Sequence, residues 1–222
     1  MDDGPAPYFW DNKHDRYITV HAIFGSLAAL VTAPAAIVVA RYFRSWRYWN
    51  IVHLSLNALT AIFIVITFAL GNTALKRSNQ YSGPSADLHH QLGLSIFIIT
   101  LVQTILGIAA RFTQPPPFNY VTLQARRPAL RYIHIAFGIA TAAILYAQVY
   151  TGFDEWNETS NSDTKVPYGV IVVFWVLFSI EVFAYIVGWI VMEPLGRKKR
   201  KMEAESRADV KESRNSQTFL IR

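Results

Sequence analysis

The chain has 222 residues, of which 52% are hydrophobic and 16% are charged, and its mean hydropathy is +0.23. This composition excludes an ordinary soluble domain and predicts an all-α integral membrane protein. The absence of cysteine excludes disulfides, thiolate metal ligands, iron–sulfur clusters and cysteine lipidation. The net charge of +6 does not indicate a nucleic-acid partner, because the basic residues lie between and after apolar runs, where membrane topology explains them.

Five apolar runs predict five transmembrane helices. Each run has about 20 or more mostly apolar residues, enough to cross roughly 30 Å of hydrocarbon as a helix. A polar lead, residues 1–17, precedes them and lacks the apolar core of a signal peptide. Residues 18–192 are expected to form one transmembrane domain, and residues 193–222 a basic tail that is disordered or a frayed helix. The predicted spans are residues 18–40, 51–70, 88–112, 132–153 and 168–192.

Two residues stand out within these spans besides the histidines. Pro34, in the second half of the first span, predicts a kink that membrane helices tolerate, because proline lacks the backbone N–H. Glu181, in the fifth span, is an intramembrane acid. It is either protonated and hydrogen-bonded within the bundle or placed beside a proton path.

The distribution of basic residues predicts the orientation of the chain. Side A is here the side of the N-terminus and side B the opposite side. Side A segments hold few basic residues, diluted by acidic ones, whereas side B segments are strongly basic. The positive-inside rule therefore places the N-terminus outside or in a lumen and the C-terminus in the cytoplasm. The side B residues are Arg41, Arg44, Arg47, Arg111, Arg126, Arg127, Arg131, Arg197, Lys198, Lys199, Arg200 and Lys201.

Four of the spans carry a histidine near their N-terminal end. Since successive spans alternate in direction, His21 and His89 lie toward side A, and His53 and His134 lie toward side B. Imidazoles are rare in hydrocarbon and normally face a bundle interior with a partner or a ligand. Each one alone is explained as a hydrogen-bonded core residue. Two pairs at two depths match a metal held by two axial imidazoles, for which haem iron is the usual example.

Small residues accompany these histidines at helical spacing. The third and fourth spans both read H-x-x-x-G, then nine residues, then Q-x-x-x-G, and these offsets of 4, 14 and 18 lie on one helix face within roughly 40°. The second glycine lies about 27 Å along the helix from its histidine, at the depth of the other pair. Each helix would thus carry a ligand for one haem and a clearance for the other; small-residue helix packing is the alternative. The glycines are Gly25 after His21, Gly93 and Gly107 after His89, and Gly138 and Gly152 after His134.

His90 competes with His89 for the ligand role in the third span. It lies about 100° away from the face that carries the two glycines. The spacing therefore selects His89 and leaves His90 without a role.

These motifs resemble the cytochrome b561 family, especially the cytochrome b561 domain of fungal and plant membrane proteins. The resemblance covers about residues 14–192 and rests on three motifs. They are the spacing of His21, Gly25 and Pro34, the HHQLG segment that begins at His89, and the RYIHIAFG segment from Arg131 to Gly138.

The resemblance implies a core of four helices that holds two b haems, one near each membrane face. The first and third histidines would bind one haem and the second and fourth the other. It also implies transmembrane electron transfer, from ascorbate or a similar cytoplasmic donor to monodehydroascorbate or ferric iron. The chain would then be an ascorbate-dependent or ferric reductase in which no side chain is assigned as catalytic. Many relatives have a sixth helix or an extracellular DOMON domain, and we expect neither here.

Basic residues near the cytoplasmic haem bind ascorbate in some relatives. Arg41, Arg44 and Arg131 are the candidate counterparts, since arginine suits an anionic, hydrogen-bonding donor. The positive-inside rule explains the same residues without a donor.

Two other classes of function remain open from the residues alone. A transporter or channel would use the histidines as a proton or metal relay, and it predicts more intramembrane acids than Glu181. A haem-free membrane scaffold would bind anionic lipid or a partner through its basic tail. Membrane lipid is a partner in every case, and a homodimer is left open.

Overall fold

Helices are the regular elements throughout the part of the chain that is described, which comprises residues 13–77, 87–112, 129–159 and 165–220 of a computed structural model. This confirms the all-α prediction. The elements are α1 (Lys13–Leu27), a π-helical turn (Ala28–Thr32), α2 (Ala33–Tyr42), α3 (Trp49–Arg77), α4 (Leu88–Phe112), α5 (Ala129–Thr159) and α6 (Tyr168–Leu220).

Within the described residues, five helical segments are long and apolar enough to cross a membrane, as predicted. The first span consists of α1, the π turn and α2, and the others lie in α3 to α6 in order. Several of them exceed the predicted bounds by a few residues, because the helical hydrogen bonds continue beyond the apolar run that defined each predicted span. The spans are Asp15–Tyr42, Trp49–Leu75, Leu88–Ala110, Ala129–Asn157 and Tyr168–Val191.

Pro34 is accommodated by the π turn that precedes it. Proline donates no N–H, and its ring crowds the carbonyl of the residue four positions earlier, which is Leu30. In the structure the N–H of Ala33 donates to the carbonyl of Ala28, five residues earlier, instead of to a carbonyl four residues earlier as in an α-helix. This turn therefore contains about one residue more than an α-helical turn. The irregularity predicted at Pro34 is thus a local change of helical register.

The first four spans pack in a ring. The first span contacts α3, α3 contacts α4, α4 contacts α5, and α5 contacts the first span. Within these described helices, the diagonal pairs, first span with α4 and α3 with α5, make no close backbone contact. The space between diagonal helices is therefore crossed by side chains.

Small and hydroxylated residues line the centre of this bundle. Ala28, Ala29 and Ala36 are buried at the π turn and just after it, where a small side chain lets helices approach closely. Each of the four spans also buries one threonine near its middle. The Thr32 and Thr60 hydroxyls are hydrogen-bonded at 2.7 Å. The four are Thr32, Thr60, Thr100 and Thr141.

The chain divides into two compact units, residues 1–175 and 176–222. The first unit contains the four-span bundle. The second is the remainder of α6, which includes Glu181 and remains helical to Leu220. For the tail, the sequence predicted either disorder or a frayed helix, and the structure has a helix.

Candidate functional site

The four predicted histidines meet in two pairs across the diagonals of the bundle. The ring centroids of His21 and His89 are 6.1 Å apart, and those of His53 and His134 are 6.4 Å apart. Two imidazoles that share one metal, with bonds of about 2 Å each, place their centroids roughly 6 Å apart. The partners are the ones that span direction predicted, and their ligand role stays a prediction.

Backbone carbonyls orient the imidazoles of the first two spans. Nδ1 of His21 lies 2.7 Å from the carbonyl oxygen of Thr67, and Nδ1 of His53 lies 2.9 Å from that of Ala36. Because a carbonyl oxygen only accepts, Nδ1 is the donor in both hydrogen bonds, and in a neutral ring Nε2 then keeps its lone pair. A metal-bound histidine in proteins usually has this arrangement, with its second N–H donated to a carbonyl or carboxylate.

Side chains surround the imidazoles of the other two spans. Nδ1 of His89 lies 3.2 Å from the Thr151 hydroxyl, and the Gln148 amide nitrogen lies 3.2 Å from both ring nitrogens of His89. The amide of Gln103 donates to the backbone carbonyl of His134 at 2.8 Å. The two glutamines of the repeated motif thus each contact the histidine region of the facing helix.

The second glycine of each motif provides room for an imidazole of the facing helix. A Cβ built on Gly107 would lie 3.1 Å from Cε1 of His134, and a Cβ on Gly152 would lie 3.1 Å from Cε1 of His89. Such distances are shorter than most carbon–carbon contacts in proteins. The clearance for a haem that the sequence predicts at these depths stays a prediction; in the structure, each glycine lies against an imidazole of the facing helix.

The glycines four residues after the histidines pack against polar side chains. A Cβ on Gly93 would lie 3.2 Å from the amide nitrogen of Gln148, and one on Gly138 would lie 3.0 Å from that of Gln103. The two copies of the motif therefore meet in antiparallel order, glycine against glutamine and histidine against glycine. In the first span, a Cβ on Gly25 would lie 3.3 Å from the Thr67 methyl.

The helix α3 carries site residues that the sequence analysis missed. A Cβ on Gly71 would lie 3.0 Å from both Cε1 and Nδ1 of His21. From His53, the residues at offsets 4, 14 and 18 are Asn57, Thr67 and Gly71, which are the offsets of the motif in α4 and α5. The spacing of these residues could have identified the motif in α3. It was missed because Asn57 stands where the other two motifs have glycine.

The π turn aligns the first span with this pattern. Thr67, whose carbonyl binds His21, comes 14 residues after His53, whereas Ala36, whose carbonyl binds His53, comes 15 residues after His21. The additional residue is accommodated in the π turn. We infer that the turn brings the Ala36 carbonyl, rather than that of its neighbour, to His53.

The candidate donor-binding arginines lie near the side B pair. Arg41 and Arg44 are exposed at the end of the first span, and Arg131 is partly exposed one helical turn before His134. The guanidinium of Arg44 lies over the Trp49 ring, 5.8 Å from its centroid, and the Trp49 and His53 rings are 6.5 Å apart. A cation and an aromatic ring therefore connect the surface with one histidine of the pair.

His90 points to a different partner from the interior histidines. Its backbone N–H donates to Oδ1 of Asp87 at 2.9 Å, and its Nδ1 is hydrogen-bonded to Oδ2 of the same carboxylate. Burial acts to raise the pKa of Asp87, but the hydrogen bonds from the backbone and ring of His90 prevail and hold that pKa below its ordinary value.

The interior residues fit a b-type haem at each depth. Imidazole is an axial ligand of haem iron, and both pairs have the required separation. Buried polar atoms without a hydrogen-bond partner in the described residues also call for a bound group, since such atoms are costly to leave unpaired. They are Oγ1 of Thr67 and Thr100, Oε1 of Gln103 and Gln148, and Nδ1 of His134.

Comparison with known proteins agrees with this chemistry. A family model described as eukaryotic cytochrome b561 matches residues 20–158, which is more than half of the chain and includes all four histidines. A Xenopus laevis protein named "Putative ferric-chelate reductase 1" is 26% identical over 146 residues, which are 62% of this chain and 22% of that relative. The chain thus spans about a fifth of the length of this curated relative. No solved structure matches it significantly.

Proposed function

Because the chain belongs to the eukaryotic cytochrome b561 family of haem-binding membrane electron carriers, we propose that it conducts electrons between two b haems. His21 and His89 would hold the haem near side A, and His53 and His134 the haem near side B. The proposal rests chiefly on the two imidazole pairs, whose ring centroids are 6.1 Å and 6.4 Å apart. Each pair joins two diagonal helices, and the two pairs lie at opposite ends of one bundle.

The residues around each pair favour electron transfer over chemistry at the metal. Haem supplies one-electron redox chemistry when bound. Each haem would be held by two histidines, and a metal held in this way would serve electron transfer rather than the binding of oxygen or substrate. The carbonyls of Thr67 and Ala36 fix two of the rings, so little has to move when the charge changes. The closely packed bundle would keep water from the centres.

We propose that the donor is an anionic enediol such as ascorbate and that it binds at side B. Arg41, Arg44 and Arg131 would supply hydrogen bonds and charge, and Trp49 would provide a flat contact beside His53. The acceptor at side A would be monodehydroascorbate or ferric iron. The name of the Xenopus relative favours ferric iron.

A spectrum of the purified protein tests the central proposal. We expect a low-spin b-type signal in the reduced-minus-oxidised difference spectrum and two haems per chain in a pyridine haemochrome assay. A chain without low-spin haem would overturn the proposal and favour a transporter or a scaffold. Ascorbate should reduce the haems of the parent protein. A variant with Arg44 and Arg131 both replaced by Gln should be reduced by ascorbate several-fold more slowly.

The absence of native cysteine allows a direct test of orientation. Ser45 is exposed in the connection between α2 and α3, on side B, and Lys165 is exposed before α6, on side A. We expect a membrane-impermeant maleimide to label Lys165→Cys in sealed cells or right-side-out vesicles. Ser45→Cys should be labelled only after permeabilisation. The reverse result would invert the proposed direction of electron flow.

A further inference from the structure

A mixed cluster of metal-ligating side chains lies at the side A end of the bundle. Asp87, His90 and Glu155 each offer one ligand atom, and these atoms lie within 4.8 Å of one another. Building on the proposed function, we propose that this cluster binds ferric iron, the electron acceptor, next to the His21–His89 pair. None of its members belongs to the interior histidine pairs.

Two helices deliver the three ligands. Asp87 immediately precedes α4, and its carboxylate is oriented by the backbone N–H and the ring of His90. Glu155 comes from the opposite direction, near the end of α5, which packs against α4. The side chains of His90 and Asp87 are 17% and 39% exposed, so an ion can reach them from solvent while the packing keeps them in place.

The donor set suits a hard or borderline first-row cation. One imidazole and two carboxylates favour iron, manganese or zinc and disfavour Cu(I), which selects thiolate or thioether ligands. Two negative charges hold a trivalent ion more strongly than a divalent one, so reduction itself would weaken binding and release the product.

The position of the cluster suits electron delivery. The rings of His90 and His89 are 5.9 Å apart, and the rings of His89 and His21 are 6.1 Å apart. An ion bound by His90 would therefore lie within a short distance of the proposed side A centre. In the net step, the ferric ion gains one electron and becomes ferrous. The enediol donor at side B loses one electron and one proton and becomes its radical, and the proton stays on side B.

The competing explanation is that Asp87 only caps α4. Asp and Asn cap helices about equally well, and Asn lacks the charge. Asp87→Asn therefore keeps the cap and weakens the proposed metal site. The same end of α5 offers a matched control, because Asp154 is an exposed carboxylate adjacent to Glu155 and outside the cluster.

Zinc binding tests the site without any redox activity. Isothermal titration of Zn²⁺ into the oxidised protein, purified in nanodiscs without a polyhistidine tag, should show one site per chain. Asp87→Asn, His90→Ala and Glu155→Gln should each weaken the affinity by about tenfold or more, while Asp154→Asn leaves it unchanged. Equal affinity in all proteins, or an equal loss in Asp154→Asn, would overturn the proposal.

The reduction of two different acceptors connects the site with its role. Glu155→Gln should raise the half-saturating concentration of ferric citrate about tenfold. It should not change the reduction rate of ferricyanide, whose coordination positions are already filled. The haem spectrum of each variant, measured in parallel, separates the two proposals. If the variants keep a normal haem spectrum and bind zinc as tightly as the parent protein, only the metal site is overturned. If the parent protein itself lacks haem, the proposed function is overturned.

Discussion

Replacing His89 by alanine is expected to remove one haem and leave the other. The ring centroids of His89 and His21 are 6.1 Å apart. Within the described structure, this pair makes no contact with the His53–His134 pair at the other end of the bundle. Loss of one axial imidazole should therefore empty the side A centre. We expect the haem content to fall from two per chain to one and the difference spectrum to lose about half its amplitude.

The neighbouring histidine provides the control for this experiment. His90→Ala should keep both haems, because its ring is hydrogen-bonded to Asp87 and is not part of either diagonal pair. His53→Ala should remove the side B centre instead, leaving a spectrum distinct from that of His89→Ala. If His90→Ala lost a haem and His89→Ala did not, the assignment of the third ligand would be wrong.

Replacing Gly71 by valine is expected to expel the side A haem without removing any ligand. A Cβ at position 71 would already lie 3.0 Å from two atoms of the His21 ring. The ring is also fixed by its bond to the Thr67 carbonyl, so it cannot yield without breaking that bond. Overpacking of this kind costs about 1–3 kcal/mol, which corresponds to roughly 5- to 150-fold weaker retention of the haem.

Gly169 is the matched control for Gly71. It also lies in a transmembrane helix, but nothing lies within 4 Å of a Cβ built there. Gly169→Val should therefore keep both haems, and Gly71→Ala should give a smaller loss than Gly71→Val. The haem content of each of the three variants is measured after size-exclusion chromatography. Full haem content in Gly71→Val would show that the His21 ring is not held against α3.

Hydropathy and spacing predicted the parts of the structure that depend on one helix at a time. The third span was predicted as residues 88–112, and α4 has these bounds, Leu88–Phe112. A bilayer core offers no hydrogen-bond partner to the backbone, so an apolar run of this length has to be helical. The same logic gave the alternation of spans, and with it the depth of each histidine.

Contacts between helices were harder to predict from the sequence. Gly71 escaped notice because Asn57 replaces the glycine expected four residues after His53. Pro34 predicted an irregular first span, but the π turn and its effect on the Ala36 carbonyl depend on how that span packs against α3. Likewise, Glu155 is 65 residues from His90 along the chain, and no spacing rule connects them.

The sequence by itself therefore determined five spans, four histidines at two depths and the motif that marks one face of α4 and α5. The tertiary structure decided which helices are neighbours and which are diagonal. It thereby placed His21 beside His89 and His53 beside His134 in the bundle interior. The physical reason is that hydropathy measures the transfer of a single helix into lipid, whereas neighbours and rotation are set by side-chain packing between helices.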